Sequence, residues 1–116
     1  MNKLLEDLNN IGMDTPGALE RFMNNEELYV RFLKKFLADP NMEALKESIA
    51  GQDYENAFKQ AHTLKGVTGN LGLTTLYLPL SELVECLRNN SIETVDAQLE
   101  SIHKEYIRAC HMIENF

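Results

Sequence analysis

Apolar residues recur at helical spacing along most of the chain, and no stretch shows the alternation of a half-buried strand. The clearest apolar stripe lies near the C-terminus and consists of Val95, Leu99, Ile102, Tyr106, Cys110 and Ile113. Short breaks rich in Gly, Asn, Asp and Pro separate the helical segments. The pattern therefore predicts an all-α protein made of one domain.

Local signals indicate where the first helices begin. Thr15 followed by Pro16 predicts a capped helix that continues to about Met23. Asn24, with Glu27 three residues later, is typical of a capping box and predicts the start of the next helix.

The rest of the chain predicts the main body of the fold. Asp53 is the predicted cap of a long helix that ends near the turn residue Gly72. Four substantial amphipathic helices with short connections favour an antiparallel up-down four-helix bundle, with short additional helices at its N-terminal end. We interpret residues 1–13 as a loosely patterned lead-in and residues 14–116 as the bundle domain.

Composition narrows the classes of partner. The chain has 116 residues and a net charge of -7, and its Lys and Arg residues are scattered, so it lacks the basic stripe that nucleic acid requires. Polar residues interrupt every apolar run, which argues against a membrane span, and acid close to Met1 argues against a signal peptide. We expect a cytoplasmic monomer.

The helix predicted to follow Asp53 carries the most informative residues. His62 lies about 100° away from the middle of its apolar stripe, on the shoulder of that stripe. Lys65, Gly66 and Gly69 follow at helical neighbour positions, although each glycine in a helix interior costs roughly 1 kcal/mol relative to alanine. This pattern predicts an exposed imidazole beside a cation, with open backbone on its C-terminal side.

The segment from His62 through Leu64, Lys65 and Gly66 to Leu71-Gly72 resembles the signature of the histidine-containing phosphotransfer (HPt) domain. The resemblance spans about residues 14–113. It implies a phosphorelay intermediate, in which His62 accepts a phosphoryl group from a receiver-domain aspartyl phosphate and passes it to another receiver domain. The implied partners are response regulator receiver domains and a hybrid histidine kinase.

The resemblance also implies what this chain itself supplies. Lys65 would stabilise phosphoryl oxygens, and Gly66 and Gly69 would admit the loops of the receiver domain. No glycine-rich nucleotide loop follows a strand, so we expect a carrier without enzymatic turnover. No cofactor is expected on this chain, and Mg²⁺ would belong to the receiver domain.

Four further residues are candidates around the imidazole. Phe58, one turn before His62, would offer an apolar contact to a partner. Family members often orient the imidazole with a polar side chain from the following helix, and Val84 stands at the position we align with it. Ser81 and Arg88, on the same side of that helix, are the alternative orienting residues.

Two other function classes stay open. The bundle could be a docking module that binds a receiver or kinase domain through the same surface without being phosphorylated. It could also be a metal or redox bundle that uses His62, His103 and Cys110, although no two of these residues have the spacing of ligands on one helix.

Overall fold

Seven α-helices and no strand make up the computed structural model, which describes residues 1–116. The all-α prediction is therefore confirmed. In chain order the helices are α1 (Lys3–Asn10), α2 (Thr15–Arg21), α3 (Glu26–Phe36), α4 (Asn41–Ala50), α5 (Tyr54–Asn70), α6 (Thr74–Arg88) and α7 (Val95–Glu114). None of the seven is long and apolar enough to cross a membrane.

The start of α2 is set by a different cap from the predicted one. The Asp14 side chain accepts a hydrogen bond from the Gly17 amide at 3.0 Å and therefore caps α2 in place of Thr15. Thr15 is buried, and its hydroxyl donates to the Leu5 carbonyl at 3.0 Å. Because this hydroxyl is bonded to α1, it does not cap the helix that follows it.

The caps of α3 and α5 lie at or next to the predicted positions. Asn25 caps α3 by accepting from the Leu28 amide at 3.0 Å, one residue after the predicted Asn24. Asn24 itself has a φ of 58° and belongs to the preceding turn. Asp53 caps α5 by accepting from the Asn56 amide at 3.2 Å, as predicted.

Helices that follow one another in sequence pack together from α4 to α7. The last helix, α7, also contacts α1, α3 and α4, so the helices share one hydrophobic core. The buried face of α5 consists of Ala57, Ala61, Leu64 and Thr68. Thr68 is accommodated in this face because its hydroxyl donates to the Leu64 carbonyl at 2.8 Å. The opposite face of α5 is left to solvent.

The N-terminal segment belongs to this core as well. The sequence predicted residues 1–13 as a lead-in, but Leu4, Leu5 and Leu8 of α1 are buried in the same cluster as the later helices. The helix α1 contacts both α2 and α7. Three leucines on a helix of 8 residues bury one face but are too few to establish a clear period in the sequence.

The C-terminal end of α5 is closed by side chains from α2 and α3. Arg21 donates through Nη2 to the carbonyls of Gly69 at 2.8 Å and Asn70 at 3.1 Å. The Tyr29 hydroxyl donates to the Leu71 carbonyl at 2.6 Å. The last carbonyls of a helix have no partner within the helix, so these bonds satisfy groups that would otherwise be left unpaired.

The turn after α5 is fixed by Gly72. This residue has a φ of 68°, in the left-handed region that glycine tolerates best. Its carbonyl accepts from the Asp14 amide at 2.9 Å, and a side chain at this position would collide with the Asp14 carbonyl and with Ala18. The start of α2 therefore lies directly against the turn that ends the histidine helix.

We expect Tyr29→Phe to lower the free energy of unfolding by about 1–3 kcal/mol, because it leaves the buried Leu71 carbonyl without its donor. Burial raises the pKa of Tyr29 above its ordinary value of 10.0, so the hydroxyl stays protonated and donating at neutral pH.

Urea denaturation at neutral pH measures this loss. Tyr54→Phe is the matched control, because Tyr54 is only half-buried and its hydroxyl makes no hydrogen bond within the chain. Equal losses in the two variants would contradict the role assigned to Tyr29.

Candidate functional site

His62 lies in the middle of α5 with its side chain exposed, between the buried residues Ala61 and Leu64. The imidazole makes no hydrogen bond within the chain. Its ring is tilted by 34° to the ring of Phe58, and the two ring centroids are 6.0 Å apart. Phe58 is half-buried at the edge of the core. The nitrogens of His62 are therefore available to a group that approaches from solvent.

Lys65 and Gly66 adjoin His62 on the surface of α5. Lys65 is half-buried and takes part in none of the four ion pairs of the chain, so no carboxylate neutralises its charge. A Cβ placed on Gly66 would have no neighbouring atom within 4 Å. The surface on the C-terminal side of His62 is therefore open for about one helical turn, beside a free cation.

Gly69 differs from Gly66 in what surrounds it. A Cβ placed on Gly69 would lie 2.9 Å from Cε1 and 3.0 Å from Cδ1 of Tyr77 on α6. Side chains do not pack at that distance, so the missing side chain of Gly69 makes room for the Tyr77 ring. Gly69 therefore has a packing role, and its predicted role in partner access stays a prediction.

None of the three predicted orienting residues forms a hydrogen bond with the imidazole. Val84 is fully buried in the core and has no polar side-chain group, so it offers the imidazole no hydrogen bond. The Ser81 hydroxyl donates to the Tyr77 carbonyl at 2.8 Å and is committed to its own helix. The Arg88 guanidinium lies 5.3 Å from the centroid of the Phe58 ring. Arg88 therefore contacts the aromatic neighbour of the histidine rather than the histidine itself.

An open concavity of about 480 Å³ brings the candidate residues together with two that the sequence did not indicate. His62, Lys65 and Gly66 line one side of it, and Arg21 of α2 and Tyr77 of α6 line other parts. Arg21 and Tyr77 are distant from His62 in sequence. No local spacing relates them to the histidine, and only the packing of α2 and α6 against α5 reveals them.

A second and more apolar groove of about 470 Å³ lies between α2, α3 and α5. It adjoins the concavity, because Arg21 and Asn70 line both. Phe32 in this groove is 40% exposed, and the Lys35 ammonium lies 4.9 Å from the centroid of its ring. An exposed aromatic ring with a charged rim is typical of a protein-docking surface.

The structure gives the metal hypothesis no site. No group of three or more His, Cys, Asp or Glu side chains is arranged so that it could hold a metal ion. His103 is half-buried and Cys110 is buried on α7, whereas His62 is exposed on α5.

Comparison with known proteins connects this geometry to a family. A model of the Hpt domain matches residues 31–115, a span that includes His62, Lys65 and Gly66. The chain belongs to the Hpt domain family. The resemblance stated from the sequence is thus confirmed. A comparison with curated proteins gave no match.

This Hpt domain also shares its fold with a solved structure. The crystal structure of histidine-containing phosphotransfer protein B (HptB) from Pseudomonas aeruginosa PAO1 matches with a TM-score of 0.79 and 21% sequence identity. The match covers 89% of this chain and 91% of that chain. Hpt domains are phosphotransfer modules of phosphorelays and are not kinases. As a member of this family, the chain is a phosphorelay protein in that broad sense.

We expect Gly66→Ala to raise the free energy of unfolding by about 1 kcal/mol, because alanine is favoured in a helix interior and the added methyl group meets no other atom. Gly69→Ala is the matched comparison, since the same change at that position displaces the Tyr77 ring. It should gain less stability or lose some. Urea denaturation of both variants checks the difference, and equal gains would contradict the packing role of Gly69.

Proposed function

We propose that this Hpt domain is a phosphorelay intermediate. In this proposal His62 accepts a phosphoryl group from the aspartyl phosphate of one receiver domain and passes it to an aspartate of another. The observation that carries the proposal is an exposed, unpartnered imidazole beside a cation without a counter-ion and a helix surface without a side chain. Those are the features that a nucleophile needs when its substrate is attached to another protein.

The transfer requires no redox chemistry and no other reactant. An unprotonated ring nitrogen of His62, which we assign as the outward-facing Nε2, attacks the phosphorus with its lone pair. The P–N bond forms while the P–O bond to the receiver aspartate breaks, and the aspartate leaves as a carboxylate with the electron pair. Attack by the aspartate of a second receiver reverses these steps and restores the neutral imidazole.

Lys65 stabilises the charge that moves in this step. Its ammonium group provides donors for the phosphoryl oxygens, and its charge is not already neutralised by a carboxylate of this chain. Phosphoryl transfer depends mainly on positioning and charge stabilisation, so the chain needs few reactive groups of its own. The receiver domain would bring the aspartate and Mg²⁺, and this chain acts as a carrier without a cofactor.

Receiver domains of response regulators, and a hybrid histidine kinase that carries such a domain, are the proposed partners. The open surface at Gly66 admits loops of the receiver close to the helix. The apolar groove beside Phe32 adjoins the concavity at His62, so a domain docked over the histidine would cover both. Phe58 adds a half-buried aromatic ring on the other side of the imidazole.

The proposal also covers how the helices are arranged, the oligomeric state and the cellular location of the domain. Sequential packing of α4, α5, α6 and α7 with short connections supports an antiparallel up-down four-helix bundle, to which α1, α2 and α3 add short helices. We propose a monomer that acts in the cytoplasm, where the proposed partners would meet it. A net charge of -7 favours protein partners over nucleic acid.

The decisive experiment is intact-protein mass spectrometry after treatment with phosphoramidate. We expect the wild-type protein to gain one acid-labile phosphoryl group and His62→Gln to gain none, because the reactive nitrogen has been removed. Binding of a receiver domain should be nearly unchanged in His62→Gln. No addition to the wild type, or equal addition to both proteins, would instead favour the docking module that is never phosphorylated.

Lys65→Ala should slow transfer from phosphorylated protein to a receiver domain by at least about tenfold, as expected when one charge-stabilising donor is removed. Rapid-quench kinetics measures the rate, and urea denaturation should show little change in stability because Lys65 forms no ion pair. Lys59→Ala, which removes an exposed lysine one turn before His62, is the matched control. Transfer rates equal to wild type in Lys65→Ala would remove the role we give to this residue.

A further inference from the structure

Tyr77 occupies a position in the concavity that its sequence neighbourhood does not explain. It lies on α6, yet its ring packs over Gly69 of α5, where any larger residue would displace it. The ring is half-buried, so it is held in place by the helix surface and still reaches solvent. Its position follows from the hairpin that α5 and α6 form around the turn at Gly72.

The polar end of Tyr77 is left without a partner inside the protein. The Tyr77 hydroxyl makes no hydrogen bond within the chain, and it is not among the buried polar atoms that lack one. Tyr77 lines the same concavity as His62, Lys65 and Gly66, and it is the one phenol in a lining that is otherwise polar or glycine. A tyrosine with a fixed ring and a free hydroxyl is a common contact in protein interfaces, because little conformational freedom is lost when it binds.

Two other α6 residues expected near the imidazole have no free polar group. Val84 is buried and Ser81 is bonded to a carbonyl of its own helix, so neither offers a polar group to a docked partner.

Thr74 and Tyr77 are the α6 residues that line the concavity. The Thr74 hydroxyl accepts from the Asp14 amide and donates to the Gly72 carbonyl. This leaves the Tyr77 hydroxyl as the unbonded polar group of α6 in the concavity. We propose that Tyr77 is a specificity contact for the receiver domain and that its hydroxyl forms a hydrogen bond with the docked receiver. The missing side chain of Gly69 leaves the space in which the Tyr77 ring packs.

This inference rests on the proposed function, since it names a contact made by the same partner at the same site. It also separates two explanations of Gly69. If Gly69 served partner access, a methyl group there would hinder docking whatever residue stood at position 77. If Gly69 seats the tyrosine, the same methyl group matters only while the ring is present.

The test uses the full chain, phosphorylated with phosphoramidate, and the receiver domain that accepts the phosphoryl group fastest among those of the same genome. The variants are Tyr77→Phe, which keeps the ring, and Gly69→Ala in the wild-type and in the Tyr77→Ala backgrounds. Gly69→Ala in the Tyr77→Ala background is itself the control for adding a methyl group at this position of the helix. Transfer rates are measured over a range of receiver concentrations, and circular dichroism verifies that each variant is folded.

We expect Tyr77→Phe to raise the half-saturating receiver concentration about fivefold, the size of one net hydrogen bond, with the maximal rate unchanged. Loading by phosphoramidate should equal that of the wild type, because Tyr77 plays no part in the chemical step. Gly69→Ala should raise the half-saturating concentration in the wild-type background and have no effect in the Tyr77→Ala background.

Two results would overturn the inference while leaving the proposed function intact. One is a Tyr77→Phe variant with wild-type half-saturation, and the other is an equal effect of Gly69→Ala in both backgrounds. Failure of the wild type to be loaded at His62, by contrast, would overturn the proposed function and this inference with it.

Discussion

The closure of the C-terminal end of α5 is the interaction on which the site depends. A helix end exposes carbonyls that must find donors, and here Arg21 and Tyr29 supply them from α2 and α3. These bonds fix both helices against the histidine helix. Arg21 also lines the concavity and the apolar groove, so one side chain closes the helix and forms part of the surface beside His62.

The histidine helix satisfies two opposing demands on its two faces. One face must be apolar enough to hold the helix in the core, and Thr68 meets this demand by bonding its hydroxyl to the backbone of its own helix. The other face must leave His62 reachable, which Gly66 achieves by giving up the stability an alanine would add. Gly69, in the same motif, is used for packing, so two similar glycines serve different physical ends.

Features that depend on short stretches of sequence could be predicted. The cap at Asp53, the turn at Gly72 and the exposure of His62 all follow from spacing within one helix. Features that depend on how the helices pack against one another could not be predicted from the sequence. The roles of Arg21 and Tyr77 arise from contacts between segments far apart in sequence, and α1 has too few residues to show its buried face as a period.

The residues that close the C-terminal end of α5 lie outside the part of the chain that matches the family. The family match begins at residue 31, whereas Arg21 and Tyr29 both precede it. A fragment cut at that boundary would keep His62 but lose the donors for the end of its helix, along with the leucines that α1 adds to the core. The region of family similarity is therefore smaller than the unit that shares this core and closes the histidine helix.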